Sequence, residues 1–295
     1  TLFSISVYLS LDTVLLGFLA DNESVGYYSS VLKLNKIIIA VLAAISAAMF
    51  PKITSLYQSG EIEKFTEMIR KGFYFIISIG IPTMIVVFGC APQIVFIVLG
   101  EGYERSILPL QITAPLILIV SLSSIFGFQI LNALSRDKEI LKSAIIGMVL
   151  SILLTFILVS KYKEVGEAIT ILLTELSVCL AFIYFSKKHY DIKLLLPLIL
   201  EQILACIPYI ILIICIKILI VNSYLQLSII SICSLGWFML FHFVLLKNGL
   251  VKEQVLLFLK KGDVQSAINF GEKALSIRIK ELGMYNSKTG TSFNN

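Results

Sequence analysis

The sequence predicts an all-α, polytopic membrane bundle of about eight transmembrane helices with a short cytoplasmic helical-repeat tail. Three observations predict it. Eight apolar stretches run almost without pause from Phe3 to Leu246. The composition is 58% hydrophobic and 15% charged, with a mean hydropathy of +0.94, where an ordinary soluble domain is about 25% charged. The Lys and Arg residues gather in every second connection. Strands of an outer-membrane barrel would alternate apolar and polar residues over about ten positions; these runs are continuous.

The spans are read at 2–20, 31–50, 72–99, 108–134, 141–160, 166–185, 195–221 and 224–246. Roughly 20 residues of helix cross the hydrocarbon, so each is long enough. Lys52, Lys64, Arg70 and Lys71 follow the second span; Arg136, Lys138 and Lys142 the fourth; Lys187, Lys188 and Lys193 the sixth; Lys247, Lys252, Lys260 and Lys261 the eighth. The other side carries Lys33, Lys36, Arg105, Lys161, Lys163 and Lys217, a count of fourteen against six. The excess of cations marks the cytoplasmic side, so both ends of the chain are expected there, in a prokaryotic plasma (inner) membrane. The net charge of +5 is thereby a topology signal, because a nucleic-acid footprint would gather the cations on one soluble face. No nucleic-acid partner is expected.

Several chemistries have no signature in the sequence. It contains no G-x-x-x-x-G-K-[ST] phosphate cradle, and its two histidines, His189 and His242, are too few and too far apart for a His-rich metal site. No triad signature is found, and no enzyme, metal or cofactor is expected. Cys90, Cys179, Cys206, Cys215 and Cys233 all fall in apolar runs without C-x-x-C spacing and read as small hydrophobes. The chain starts at Thr1 and enters a span at once, so it is read as a fragment with upstream sequence missing, and its end at Asn295 as unfinished.

Polar residues at membrane depth are the candidate functional groups. Asp12 lies midway along the first span, where an ionisable group needs a partner or a wet cavity. It reads as a cation or proton site, or as a helix-packing hydrogen bond. Lys33 and Lys36, three apart and so on one helical face, could draw an anionic head group such as a pyrophosphate, with Asn35 close by; the alternative is snorkelling to the interface. Gln129 and Asn132 lie in the fourth span, Glu175 near the middle of the sixth, and Glu201 with Gln202 at the start of the seventh. Pro82 and Pro92 in the third stretch, Pro115 in the fourth and Pro208 in the seventh mark expected bends.

A family resemblance follows from ordered motifs. Tyr8-Leu9-Ser10-Leu11-Asp12-Thr13-Val14-Leu15-Leu16-Gly17, then Val25-Gly26-Tyr27-Tyr28 and Lys33-Leu34, resemble the start of the second half of polysaccharide flippases. These are the O-antigen and capsule exporters of the multidrug/oligosaccharidyl-lipid/polysaccharide superfamily. Phe50-Pro51-Lys52, Pro82, Leu99-Gly100-Glu101-Gly102-Tyr103 and Leu131-Asn132-Ala133-Leu134-Ser135-Arg136 continue the likeness, which covers most of 1–260.

The resemblance implies the second lobe of a two-lobed carrier that moves undecaprenyl-pyrophosphate-linked oligosaccharide from the inner to the outer leaflet by alternating access, without ATP hydrolysis. Its partners would be the lipid-linked oligosaccharide and membrane lipids. The family's cationic cavity would map onto Lys33 and Lys36, with Asn35, Gln129 and Asn132 as further substrate contacts and Arg136 at the cytoplasmic mouth. Asp12 and Glu175 are the candidates for ion coupling. Two departures stand out: Ser135 occupies a place where the family usually has Gly, and Glu167 interrupts an expected small-residue run after Gly166.

After Lys261 the composition turns polar, and Ala267, Phe270, Ala274 and Ile277 return at helical spacing. With Gly262-Asp263 and Leu282-Gly283, this stretch resembles a tetratricopeptide repeat of the kinesin-light-chain type. About three such repeats are needed for stability, so the tail reads as the start of an array for glycosyltransferase or polymerase partners, or as a lone surface helix. The expected domains are 1–247 for the membrane part, 248–261 for a connector helix and 262–295 for the partial repeat. A cation-coupled multidrug exporter of the same fold and a membrane-anchored scaffold remain alternative functions.

Overall fold

The computed structural model describes residues 15–219 and 222–240. The chain divides into two units, Thr1–Phe241 and His242–Asn295, and every described residue belongs to the first. The expected connector at 248–261, the repeat at 262–295 and Asp12 lie outside the described residues.

The described residues are helical and contain no strand. After a helical segment at 15–19 come α1 (Asn22–Gln58), α2 (Ile62–Gly89) and α3 (Ala91–Val98). A 3-10 turn at Glu104–Ser106 leads into α4 (Ile107–Thr113), α5 (Leu116–Ser123) and a π-helical stretch, Ser124–Asn132. Next are α6 (Asp137–Ser186), a 3-10 turn at Ile192–Leu195, α7 (Leu196–Leu219) and α8 (Ser223–Leu240). Five helical stretches are long and apolar enough to cross a membrane: Asn22–Gln58, Ile62–Gly89, Glu104–Asn132, Asp137–Ser186 and Pro197–Leu219.

The fifty residues of α6 would make a rod of about 75 Å, more than twice the hydrocarbon thickness. They instead form two antiparallel arms. Lys163 leaves the helical region (φ 48, ψ −125), and Thr155 bonds to Glu167, which a straight helix would hold about 18 Å away. The fifth and sixth spans are therefore these two arms. Ser143, Gly147, Ser151, Thr155 and Val159 recur every fourth residue on the first arm and are all buried. Lipid offers no hydrophobic drive for helix pairing, so close approach through small residues carries the association. At Gly147 an added Cβ would lie 2.5 Å from Val178 Cγ2.

Proline has different effects at different positions. Pro115 separates α4 from α5, and Pro92 sits in the first turn of α3 after the break at Cys90. Pro82 and Pro208 lie inside continuous helices, and so does Pro51, which the sequence places just past the second span. The first turn of a helix tolerates proline because that N–H has no intrahelical acceptor.

One apolar cluster joins Ile53, Phe65, Ile69, Ile130, Ala133, Tyr190 and Leu195. It gathers the cation-rich connections that follow α1, the π-helical stretch and α6 at one end of the bundle. A second cluster, with Val31, Leu42, Val95, Leu110 and Ile117, packs α1, α2 and α3 around the broken helix. Leu16, Tyr28, Leu116, Val159 and Ile171 bring the 15–19 segment against α1, α5 and both arms of α6.

Candidate functional site

At 100° per residue, Lys33, Lys36, Ile37, Ala40, Ala44, Ala47, Ala48, Pro51 and Ser55 fall on one side of α1, and all are exposed. The surface is about 33 Å long; it carries two lysines and Ile37 near one end, Val41 at its edge, and small side chains from Ala40 onward. Other exposed helix faces differ. On α6, Leu141, Ile145, Val149, Ile152 and Phe156 are exposed; on α7, Leu200, Ile203, Leu204, Ile207 and Ile211. Bulky apolar side chains suit contact with acyl chains, whereas alanines leave room for something else to approach the backbone.

Neither Lys33 nor Lys36 has an ion pair among the described residues. Asn35 sits 160° from Lys33 around the helix and only 1% exposed; its Nδ2 donates to Thr113 Oγ1 at 2.8 Å. It faces the protein while the lysines face outward. Gln129 is fully buried in the π-helical stretch, and its Nε2 donates to Ser46 O at 3.3 Å. Asn132 is half-buried at the end of that stretch. Arg136 is exposed, 3.9 Å from Glu139. Glu175 is half-buried on the second arm of α6. The described structure thus brings Lys33 and Lys36 onto one open face and distributes Asn35, Gln129, Asn132, Arg136 and Glu175 elsewhere.

Residues not singled out as site groups from the sequence form polar contacts of their own. Glu167 is fully buried, and Thr155 Oγ1 donates to its Oε2 at 3.4 Å. Arg105, counted from sequence only as a topology cation, clasps Glu164. Lys163 Nζ donates to Asp21 Oδ2 at 2.7 Å. Asp21 also caps α1 by accepting from Ser24 N at 2.8 Å, and the two bonds hold its carboxyl well below the usual carboxylate range. The available signal was a Glu164/Glu167 pair beside the one short polar break in an otherwise apolar hairpin.

At the opposite end a cleft of about 210 Å³ lies between α1 and α2, lined by Lys52, Leu56, Glu61, Lys64, Glu67, Met68 and Lys71. Its cations are mostly matched internally, Lys64 with Glu61 and Lys71 with Glu67. It therefore offers little net charge to an anion. No cluster of three or more metal-ligating side chains occurs among the described residues.

Comparison with known proteins follows the same lines. A family profile described as polysaccharide biosynthesis protein matches residues 2–108. The chain is 30% identical over 186 residues to a putative O-antigen transporter of Escherichia coli (strain K12), covering 63% of this chain and 45% of that protein. It is 25% identical over 171 residues to the probable flippase AglR of Haloferax volcanii, covering 57% of this chain and 35% of the relative. Among solved structures, the lipid II flippase MurJ in an inward closed conformation superposes with a TM-score of 0.66 at 16% identity, covering 82% of this chain and 51% of that one. The chain has the fold of one half of such a flippase and is similar in sequence to polysaccharide transporters. It spans about half the length, or less, of these proteins.

Proposed function

We propose that this chain is the second lobe of a carrier that translocates a lipid-linked oligosaccharide across the membrane, with Lys33 and Lys36 meeting the phosphates of the head group. One observation carries the reading: the exposed face of α1 has two lysines without ion-pair partners among the described residues, then Ile37, and from Ala40 onward mostly alanines, where α6 and α7 present runs of large apolar side chains to their surroundings.

The physical problem is the charge of the head group. Moving a carboxylate-sized ion from water into a medium of low dielectric costs of order 20 kcal/mol in the idealised limit, so spontaneous exchange is negligible. A wet track with fixed ammonium groups replaces hydration with charge-assisted hydrogen bonds. The alanines leave space for a bulky glycan along the helix. In carriers built from two repeats the substrate sits near the midplane between them, which fits an open face on one repeat. With no nucleotide-binding motif in the chain, the driving force would be an ion gradient, the membrane potential or removal of product.

The test is complementation. The full-length protein, expressed in a strain lacking its own polysaccharide flippase, should restore surface polysaccharide. Lys33→Ala and Lys36→Ala should each lower the initial rate by about tenfold at equal expression, as expected for loss of one charge-assisted hydrogen bond. Full rates in both variants would sink the assignment of the lysines. Absence of restoration across several sugar types, with drug efflux instead, would point to an exporter of the same fold.

A further inference from the structure

Asn35 and Thr113 are 1% and 0% exposed, and they join α1 to α4 by a hydrogen bond of 2.8 Å between short side chains. The hydroxyl of Thr113 is itself oriented: Oγ1 donates to Pro109 O at 2.8 Å, one turn back in its own helix. Its lone pair is thereby left to accept from Asn35. Thr113 is the last residue of α4, immediately before the interruption at Ala114 and Pro115. Asn35 lies between the two lysines in sequence and on the other side of α1 in space.

The neighbours of Asn35 on the buried side, Val31, Leu32 and Leu42, are aliphatic. Dispersion contacts of that kind act through shape and are weak individually, whereas a hydrogen bond between two short side chains adds a contact of defined length and direction. At a side-chain radius of about 5–6 Å from the axis, a slip of ~1 Å at Asn35 turns the helix by roughly 10° and stretches the bond out of range. Elsewhere along α1 the ring of Tyr27 packs against Tyr103 and under Arg105, and Phe50 packs on Phe128; Ser106 Oγ donates to Tyr27 O and Gln129 Nε2 to Ser46 O, both backbone carbonyl acceptors. Those acceptors lie closer to the axis, where the same slip corresponds to a larger rotation.

We infer that Asn35 and Thr113 are positioning residues: their hydrogen bond sets the rotation of α1 about its axis, holds Lys33 and Lys36 on the open face, and registers that face to the Pro115 interruption of the neighbouring helix. The functional consequence rests on the proposed role of the lysines, but the geometric statement stands apart from it. A change at the interruption moves Thr113, and through Asn35 it turns the lysine face.

Thiol accessibility reads the rotation directly. In the full chain with its five cysteines replaced by alanine, single reporters are placed at the exposed Ala44 (Ala44→Cys) and at the 1% exposed Ser46 (Ser46→Cys). The rate of modification by a membrane-impermeant methanethiosulfonate is measured in detergent. With Thr113 present, Ala44→Cys should react much faster than Ser46→Cys. Thr113→Val keeps the shape and removes the acceptor, and it should cut the rate ratio by about fivefold, as should Asn35→Leu. Thr113→Ser should restore it. Ser186→Ala, which removes another buried bond to Phe126 O, should leave the ratio unchanged, whereas general loosening would lower it in every variant. An unchanged ratio in Thr113→Val, or an equal fall in Ser186→Ala, overturns the inference. If the ratio falls in Thr113→Val while Lys33→Ala and Lys36→Ala translocate normally, the positioning contact stands and the role given to the lysines does not.

Discussion

Arg105 grips Glu164 through two parallel hydrogen bonds, Nε to Oε1 at 2.9 Å and Nη2 to Oε2 at 3.0 Å. The carboxylate side chain is only 5% exposed, while the guanidinium is 46% exposed and lies 5.1 Å over the ring of Tyr27. One cation thus ties the approach to α4 to the corner of the α6 hairpin and to the first turns of α1. Two-pronged recognition needs the planar fork of Arg; Lys offers a point charge.

Arg105→Ala should therefore destabilise the bundle by about 2 kcal/mol, because it leaves a buried carboxylate without its partner. Arg105→Lys should recover less than half of that loss. Thermal unfolding in detergent measures both, and a Lys variant equal to the parent would show that the fork geometry is dispensable.

Lys163 and Asp21 make the neighbouring pair, and its pH dependence has a definite sign. The folded-state carboxyl of Asp21 is held below its ordinary range by the hydrogen bonds from Lys163 and Ser24. A depressed carboxyl contributes stability that is present above the unfolded value, near 3.9, and is lost as pH falls through the folded one. The difference in unfolding temperature between the parent and Asp21→Asn should be flat between about pH 5 and 8 and shrink below about pH 4. A difference that changes across neutral pH would mean that another group controls the clasp.

Ser135 has φ 55, a left-handed conformation, in the turn between the π-helical stretch and α6. A Cβ in this region costs about 1–2 kcal/mol. Ser135→Gly should stabilise the protein by about 1 kcal/mol, less whatever flexibility it adds to the unfolded chain. Chemical denaturation of the two proteins in the same detergent compares them.

Gly166 faces the opposite constraint. An added Cβ would lie 2.4 Å from Leu158 O and 3.0 Å from Val159 N, both backbone atoms of the facing arm that cannot rotate away. Gly166→Ala should cost about 2 kcal/mol or more, as overpacking does where the neighbour cannot yield. The readout is folded yield and monodispersity after extraction. Gly26, with nothing within 4 Å of an added Cβ, is the control, and Gly26→Ala should be neutral or better.

The α1 and α6 regions show how far the sequence could be read. Helical membrane character, and the grouping of Lys64, Arg70, Arg136 and Lys187 at one end, follow from apolar length and cation spacing. These are local properties, because each helix satisfies its own backbone in lipid. The break between the fifth and sixth spans was legible from the charged residues around Lys161 to Glu164. The positions of Asn35 and Gln129 were less so. Proximity in sequence put Asn35 beside the lysines, but one helical step of 100° carries a side chain to a different neighbour, and Thr113 is 78 residues away.

What the sequence by itself determined is therefore the class of protein, most of the apolar segments of membrane-crossing length among the described residues and the resemblance to flippases, all carried by composition and by motifs within single segments. Only the tertiary structure decided which polar groups face outward and which are bonded inside. It placed Lys33 and Lys36 on an exposed face that runs on into alanines, turned Asn35 and Gln129 into interhelical contacts, and made Arg105 and Glu164 a clasp. The physical reason is rotation. An apolar helix carries little sign in its sequence of the angle at which it will dock, and that angle is fixed by small-residue contacts and hydrogen bonds to segments far along the chain.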